Sequence, residues 1–292
     1  MVAADSGASV PPFRRPYIVT AGGRQALDHI LRRLRLHQRD EVWIATTLGD
    51  RDLHVSPCVT ATAARYCRFA FRPGPRTAAA LVIHDYGVPH PELTAMRDRC
   101  LRHGWPLIED AAHAFASTDS TGRRLGEDAD FALFSLPKFF PLESGGLVMG
   151  LPPSAEGVAD GAAAARLARL LPLTYAIAQL RRRNWQLLDD LFSQLGLRSA
   201  LPLTAGAVPS LYLLQTTQQF STLRRLRGVG VETGPDAHCN RLMLPCHQCL
   251  GPDDIHRIVA AVANDASTAT AGELLEPAQT GRRPIWLTSG HR

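Results

Sequence analysis

The sequence predicts an α/β protein: a sheet of short apolar strands covered by helices, followed by a second, smaller α/β unit. Three observations carry this expectation. The first half of the 292-residue chain alternates apolar runs of strand length with stretches of helical periodicity. The runs ALVI, PLI and FALF are apolar without interruption, as suits strands buried on both faces. After Gly150 the character changes to an alanine-rich connector and a long amphipathic helix, and a shorter strand–helix series starts near residue 200.

Taken in order, TAGGRQALDHILRRLRLH opens on glycines and then sets Ala26, Leu27, Ile30, Leu31 and Leu34 at helical spacing. EVWIATT reads as a strand and SPCVTATAARYC as a short helix. AALVIHDYG is a strand running into a polar turn, and ELTAMRDRCLRHG is a helix stopped by Gly104. WPLIEDAAHA is a buried strand that ends in two acids, and DFALFSLPK and GGLVMG are two more strands. Beyond them, AIAQLRRRNWQLLDDLFSQLG is a long amphipathic helix. SLYLLQ, FSTLRRLRGVG and RLMLPCHQ follow as strand, helix and strand. GPDDIHRIVAAVAND starts a last helix, with proline at its first position and acids in its first turn. The expected organisation is a flexible leader at 1–15, a large domain at 16–180, a small domain at 181–265 and a flexible tail at 266–292.

The composition narrows the function classes. A 45% hydrophobic fraction with no membrane-length apolar run, and a start lacking a basic, then apolar, signal, point to a cytoplasmic globular protein. The formal charge is +5, but arginine is spread along the chain with no aromatic-interleaved basic stripe, so nucleic-acid binding is not expected. The six cysteines are irregularly spaced, which argues against a disulfide framework. CHQC at Cys246 to Cys249, near His238 and Cys239, offers only one close pair, and no metal site is expected.

One residue stands apart. Of 32 basic side chains, 31 are arginine and a single one, Lys138 in SLPKFFPLESGG, is lysine. Arginine stays protonated and cannot act as an amine nucleophile, whereas a desolvated lysine can do so and can carry a proton. Asp110 precedes it by 28 positions, at the end of another apolar strand. In an α/β sheet both would fall at carboxyl ends of strands, where reactive groups collect. The glycines of AGGRQAL precede a helix, whose first N–H groups suit a phosphate. An amine for an aldehyde, a carboxylate for a pyridine nitrogen and an anchor for a phosphate are what pyridoxal 5'-phosphate (PLP) requires.

In these segments, GGRQALDHIL, ALVIHDYGVPHPELTAMRDRC, WPLIEDAAHAF, LGEDADFALFSLPKFFPLESGGLV and LPCHQCLGPDDIHRIV, the chain resembles the DegT/DnrJ/StrS aminotransferase family from about Tyr17 to Asn264. The resemblance implies a fold-type I PLP-dependent transferase, with a mostly parallel mixed sheet in the large domain and a small C-terminal α/β domain. It also implies amino transfer from an amino acid donor to a keto acceptor such as a nucleotide sugar, and a homodimer. By it, Lys138 is the internal aldimine lysine and Asp110 the partner of the pyridine nitrogen. His113 stands where the family usually has glutamine, near the cofactor's phenolic oxygen. Gly23 and the backbone of Arg24 fall on the phosphate loop. Ser135 falls near the phosphate, although relatives place that serine five residues before the lysine rather than three. His84 lies on a strand-end loop and receives no role. The resemblance departs after Gly150, where relatives carry a Gly-Tyr-Asn-type loop that reaches the neighbouring subunit's site and that is not found here. That departure keeps two other readings open, elimination or cyclisation chemistry on the same cofactor, and a non-catalytic protein that retains the fold.

Overall fold

The computed structural model describes residues 13–49, 55–152, 161–236, 240–263 and 285–286. In chain order its strands and helices begin with β1 (Tyr17–Thr20), α1 (Gly23–Leu34), β2 (Glu41–Thr46), α2 (Pro57–Ala63), β3 (Arg68–Ala70) and β4 (Thr77–Ile83). Next come α3 (Leu93–His103), β5 (Leu107–Asp110), β6 (Phe131–Ser135), β7 (Gly146–Met149), α4 (Gly161–Leu170) and α5 (Thr174–Gln194). The smaller unit adds β8 (Leu211–Gln215), α6 (Gln219–Gly228), β9 (Gly234–Asp236), β10 (Arg241–Pro245) and α7 (Pro252–Ala263).

The large sheet has seven strands in the order β1-β7-β6-β5-β4-β2-β3. Strands β3, β2, β4, β5 and β6 are parallel, and β7 alone runs against the rest, pairing antiparallel with both β6 and β1. The carboxyl ends of β1, β4, β5 and β6 therefore share one edge, and the reversed β7 brings its first residue, Gly146, to that edge. Gly146 faces Ser135 and Thr20 in the ladders. A side chain there would meet the backbone of Gly22 at 2.4 Å, so the approach of the two glycine segments excludes any larger residue.

Alternation along the strands feeds two cores. Leu81, Ile83, Ile108, Leu133 and Val148 pack with Ala26, Leu27, Ile30 and Leu31 of α1 on one face. Ala80, Val82, Ala132, Phe134 and Leu147 pack on the other with Leu93 and Met96 of α3 and Leu167 of α4. This double burial is what the unbroken apolar runs predicted. Phe13, in the stretch read as a leader, belongs to the second core and lies edge-on to Phe115 at 5.5 Å.

The three antiparallel strands β8-β10-β9 form the small sheet, which packs on α6 and α7 around Tyr212, Leu214, Leu242, Leu244, Ile255 and Ile258. Helix α5 spans the expected domain boundary at 181 as one continuous helix. Ile177 and Ala178 sit in the large core, while Trp185, Leu188 and Phe192 sit in the small one. Part of the expected tail packs too: Ile285 is buried and bridges to Val231. The rest of the leader (1–12), the connector at 153–160 and the tail at 264–284 and 287–292 lie outside the described residues.

Candidate active site

Asp110 is the last residue of β5, paired in register with Ile83 and Leu133, and it is buried. One of its oxygens, Oδ1, accepts a hydrogen bond from the Ala112 N–H at 3.0 Å. Lys138 closes a 3-10 turn, Leu136–Lys138, immediately beyond β6. The turn is pinned by the Leu136 N–H donating to Gly145 O at 3.0 Å and by the Phe140 N–H donating to Leu136 O at 2.8 Å. The phenylalanines that follow the lysine are anchors: Phe139 and Phe140 pack on Phe115 with ring centroids 5.2 and 4.9 Å away. An amine is thus held at the sheet edge by a rigid aromatic root.

The charges of Lys138 and Asp110 act on each other. Burial lowers the amine below its ordinary range, and Asp110, Cys58 and Asp85 pull it partly back. Burial raises the Asp110 carboxyl, against the Ala112 N–H and the Lys138 charge. Asp85, also buried, is pushed up to about 7 by desolvation, with the Leu48 N–H and the Asp110 charge as smaller influences.

His113 follows β5 and makes the closest contact to the lysine, with Nε2 2.5 Å from Lys138 Nζ. Its Nδ1 lies 2.8 Å from Ser210 Oγ, and its ring stands edge-on to Tyr86 at 5.5 Å. Desolvation, helped by the Lys138 and Arg181 charges, holds this imidazole well below its ordinary range, so it is neutral. At the other side of the edge, α1 starts at Gly23 with no side-chain cap on its first N–H groups. A Cβ on Gly23 would lie 3.4 Å from the Ser135 Cβ, so the glycine loop and the serine are neighbours. The Arg24 side chain donates to Cys58 Sγ at 2.8 Å, which lowers the Cys58 thiol.

The structure therefore brings Asp110, His113 and Lys138 together, and Gly23, Arg24 and Ser135 to the same edge. Three residues of the site carry no sequence signal that singled them out: Cys58, Ser210 and the buried Arg181. The Arg181 guanidinium donates to Phe139 O at 3.1 Å and to Gln248 Oε1 at 2.9 Å, tying the lysine's turn to the small unit. His84 is fully buried; Nε2 donates to Glu109 and Nδ1 accepts the His90 N–H, and its charge acts on Asp110. Of the CHQC group, Cys246 is buried and Cys249 exposed, and the His247 Nε2–H donates to Trp286 O at 2.7 Å. His238 and Cys239 lie outside the described residues.

Residues 74–149 match the model of the DegT/DnrJ/EryC1/StrS aminotransferase family. No curated protein matches the chain. Among solved structures it is similar to the aminotransferase TlmJ from Streptoalloteichus hindustanus, at 23% identity and TM-score 0.73, over 87% of each chain. It is also similar to DesV of S. venezuelae, solved with a ketimine intermediate, at 22% identity and TM-score 0.68, over 87% of this chain and 85% of that one. A putative sugar aminotransferase from Streptococcus pneumoniae in its PLP form aligns at 15% identity and TM-score 0.68, over 88% and 89%. These likenesses show an α/β fold shared with those solved structures, as expected from the sequence. The family model covers the segment that holds Asp110, His113, Ser135 and Lys138, and the likeness over the rest of the chain is one of fold.

Proposed function

We propose that the chain is a PLP-dependent aminotransferase that moves an amino group from an amino acid, glutamate foremost, to a keto acceptor of the nucleotide-sugar kind. The observation that carries this reading is the position of the sole lysine, desolvated at the sheet edge and in charge contact with Asp110. The residues present fit the cofactor. Lys138 offers the amine, and the buried Asp110 carboxyl, which accepts the Ala112 N–H on Oδ1, is suited to a protonated ring nitrogen. The uncapped N–H groups at Gly23 and Arg24, beside the Ser135 hydroxyl, suit the phosphate.

When bound, pyridoxal 5'-phosphate supplies an aldehyde for amines and a ring that takes up the electron pair of an adjacent carbanion. The protein supplies the rest. Desolvation raises the fraction of Lys138 that is neutral near pH 7, which serves both a nucleophile and a proton carrier. A cationic group brought to Asp110 would draw its raised carboxyl back to the ionised form. His113, backed by Tyr86, lies against the lysine, and Arg181 holds the Phe139 carbonyl next to it. The fold relatives, which include aminotransferases and a putative sugar aminotransferase, support this class of reaction. A homodimer is proposed on the resemblance alone.

The test uses the purified chain with added cofactor. Borohydride reduction should fix the cofactor on the peptide that contains Lys138, an unambiguous assignment because the chain has one lysine. An adduct elsewhere, or none, overturns the site. Glutamate should then bleach the unreduced visible band; a chromophore that no amine donor changes overturns amino transfer while leaving the cofactor site standing.

A further inference from the structure

The contact between Lys138 and His113 raises the question of which imidazole nitrogen carries the proton. A lysine ammonium has three donors and no lone pair, so whatever lies against it must accept. His113 is neutral, and its Nε2 lies 2.5 Å from Lys138 Nζ. While Lys138 is an ammonium, Nε2 must therefore be the bare nitrogen, which places the ring proton on Nδ1. That proton needs an acceptor in a buried setting, and Ser210 Oγ lies 2.8 Å away. Ser210 comes from the segment that enters β8, 97 residues beyond His113. We propose that Ser210 is a positioning residue that fixes His113 with its Nε2 lone pair facing Lys138.

The backbone around Ser210 is over-determined, as such a role requires. Its own N–H donates to Tyr86 O at 2.9 Å. The Val208 N–H donates to Ser117 Oγ at 2.9 Å, and Ser117 Oγ donates to Gly87 O at 2.7 Å. Gly87 has φ +96, and a side chain on it would meet Val208 O at 2.1 Å, so the two segments touch backbone to backbone. Tyr86, whose carbonyl receives Ser210, is itself held at φ 51, a conformation that costs a residue with a side chain and is kept by its surroundings. None of these contacts uses the Ser210 hydroxyl, which is left to His113.

The consequence is chemical. With a bare Nε2 beside it, the amine donates one of its hydrogens and keeps its own lone pair free once it is neutral. With the opposite tautomer, Nε2–H would bond to that lone pair and occupy the nucleophile. The inference rests on Lys138 being the working amine, but its test does not require the cofactor.

Because the chain holds one lysine, protein labelled with 13C at the lysine ε-carbon gives a single resonance whose pH dependence reports Lys138 directly. The charged groups that act on it are Asp110 from β5, Cys58 from α2 and Asp85 from the turn after β4, and Arg181 of α5 acts on His113. All are unchanged in Ser210→Ala. That variant should move the lysine midpoint down by about one pH unit, since losing the hydroxyl favours a proton on Nε2 and disfavours the ammonium. Ser210→Thr, which restores a hydroxyl, should bring it back. In the wild type, 15N-histidine spectra with His113 assigned through His113→Gln should show the proton on Nδ1 at neutral pH. An unmoved midpoint in Ser210→Ala, or a wild-type His113 protonated on Nε2, overturns the proposal, and the second readout decides the matter even if the alanine variant does not fold. Failure of borohydride trapping would overturn the cofactor reading and leave these results standing.

Discussion

Glu109 and Asp110 are consecutive residues of β5, both buried, with side chains on opposite faces of the strand. Glu109 is fully satisfied. It accepts from the Gly126 N–H at 2.7 Å, from Arg97 Nη2 at 3.0 Å and from His84 Nε2 at 3.3 Å. Arg97 in turn reaches Asp119 at 2.7 Å. Burial alone would raise the Glu109 carboxyl, but the His84 hydrogen bond and the Arg97 charge more than offset it and leave it lowered. Asp110 accepts one backbone N–H, burial prevails, and it is raised. Two carboxylates on one short strand thus divide the labour. Glu109 fastens the sheet to α3 and to the loop before β6, whereas Asp110, with a single backbone N–H on Oδ1, is the carboxyl that the proposed function uses.

The comparison can be broken by substitution, and the largest effect is expected at Lys138. Lys138→Arg keeps a positive charge but removes the nucleophilic amine. Turnover should fall by about 10³-fold or more and the visible cofactor band should vanish. An unchanged spectrum would remove the basis for the site. Asp110→Asn should come next in activity, with a loss of about 10²-fold or more and no loss of stability, because a neutral amide relieves a carboxylate that burial disfavours. Thermal unfolding and steady-state rates measured on the same preparation would decide; a lowered Tm would mean that Asp110 is structural after all.

Glu109→Gln should show the reverse pattern, with a loss of about 3 kcal/mol, since Arg97 and His84 lose a buried charged partner. Its stabilisation has a pH sign. The folded carboxyl lies below its ordinary 4.5, so the contribution is complete above that value and is lost as the pH falls through the lowered folded one. Acid titrations of unfolding free energy should be flatter below pH 4.5 in the glutamine variant than in the wild type, and equal slopes would count against the network. The smallest effect is expected from Cys58→Ser. The Cys58 thiolate, favoured by Arg24, is one of the charges that support the Lys138 ammonium, so in the serine variant the lysine resonance should titrate lower by a few tenths of a unit. A shift upward would contradict that electrostatic ordering.

Much of the frame was legible in the sequence. The periodicity of α1, the Gly104 stop of α3, where φ is 65, and the buried strands β4 to β7 were all expected. Strands β1, β3 and β9 were not. Arg68–Ala70 and Gly234–Asp236 are three residues each, too short for a period to register, and Tyr17–Thr20, whose residue types favour a strand, is only four residues long. The boundary set at 181 fell inside α5 because one amphipathic helix can serve two cores in succession along its length.

For the site, the sequence by itself determined the chemical parts: one amine in a chain otherwise served by arginine, an acid at the end of an apolar strand, and glycines before a helix. Their chemistry is written in side-chain type, and strand ends are readable from local pattern. Only the tertiary structure decided what each part touches. That Glu109 meets Arg97, His84 and Gly126 while Asp110 meets the Ala112 N–H, and that Arg181 braces the lysine's turn, depends largely on contacts between distant segments. The His113–Ser210 pair across 97 residues is the clearest case. Periodicity records which side of an element is buried, whereas the partner met there is set by the packing of whole elements, which no local stretch of sequence encodes.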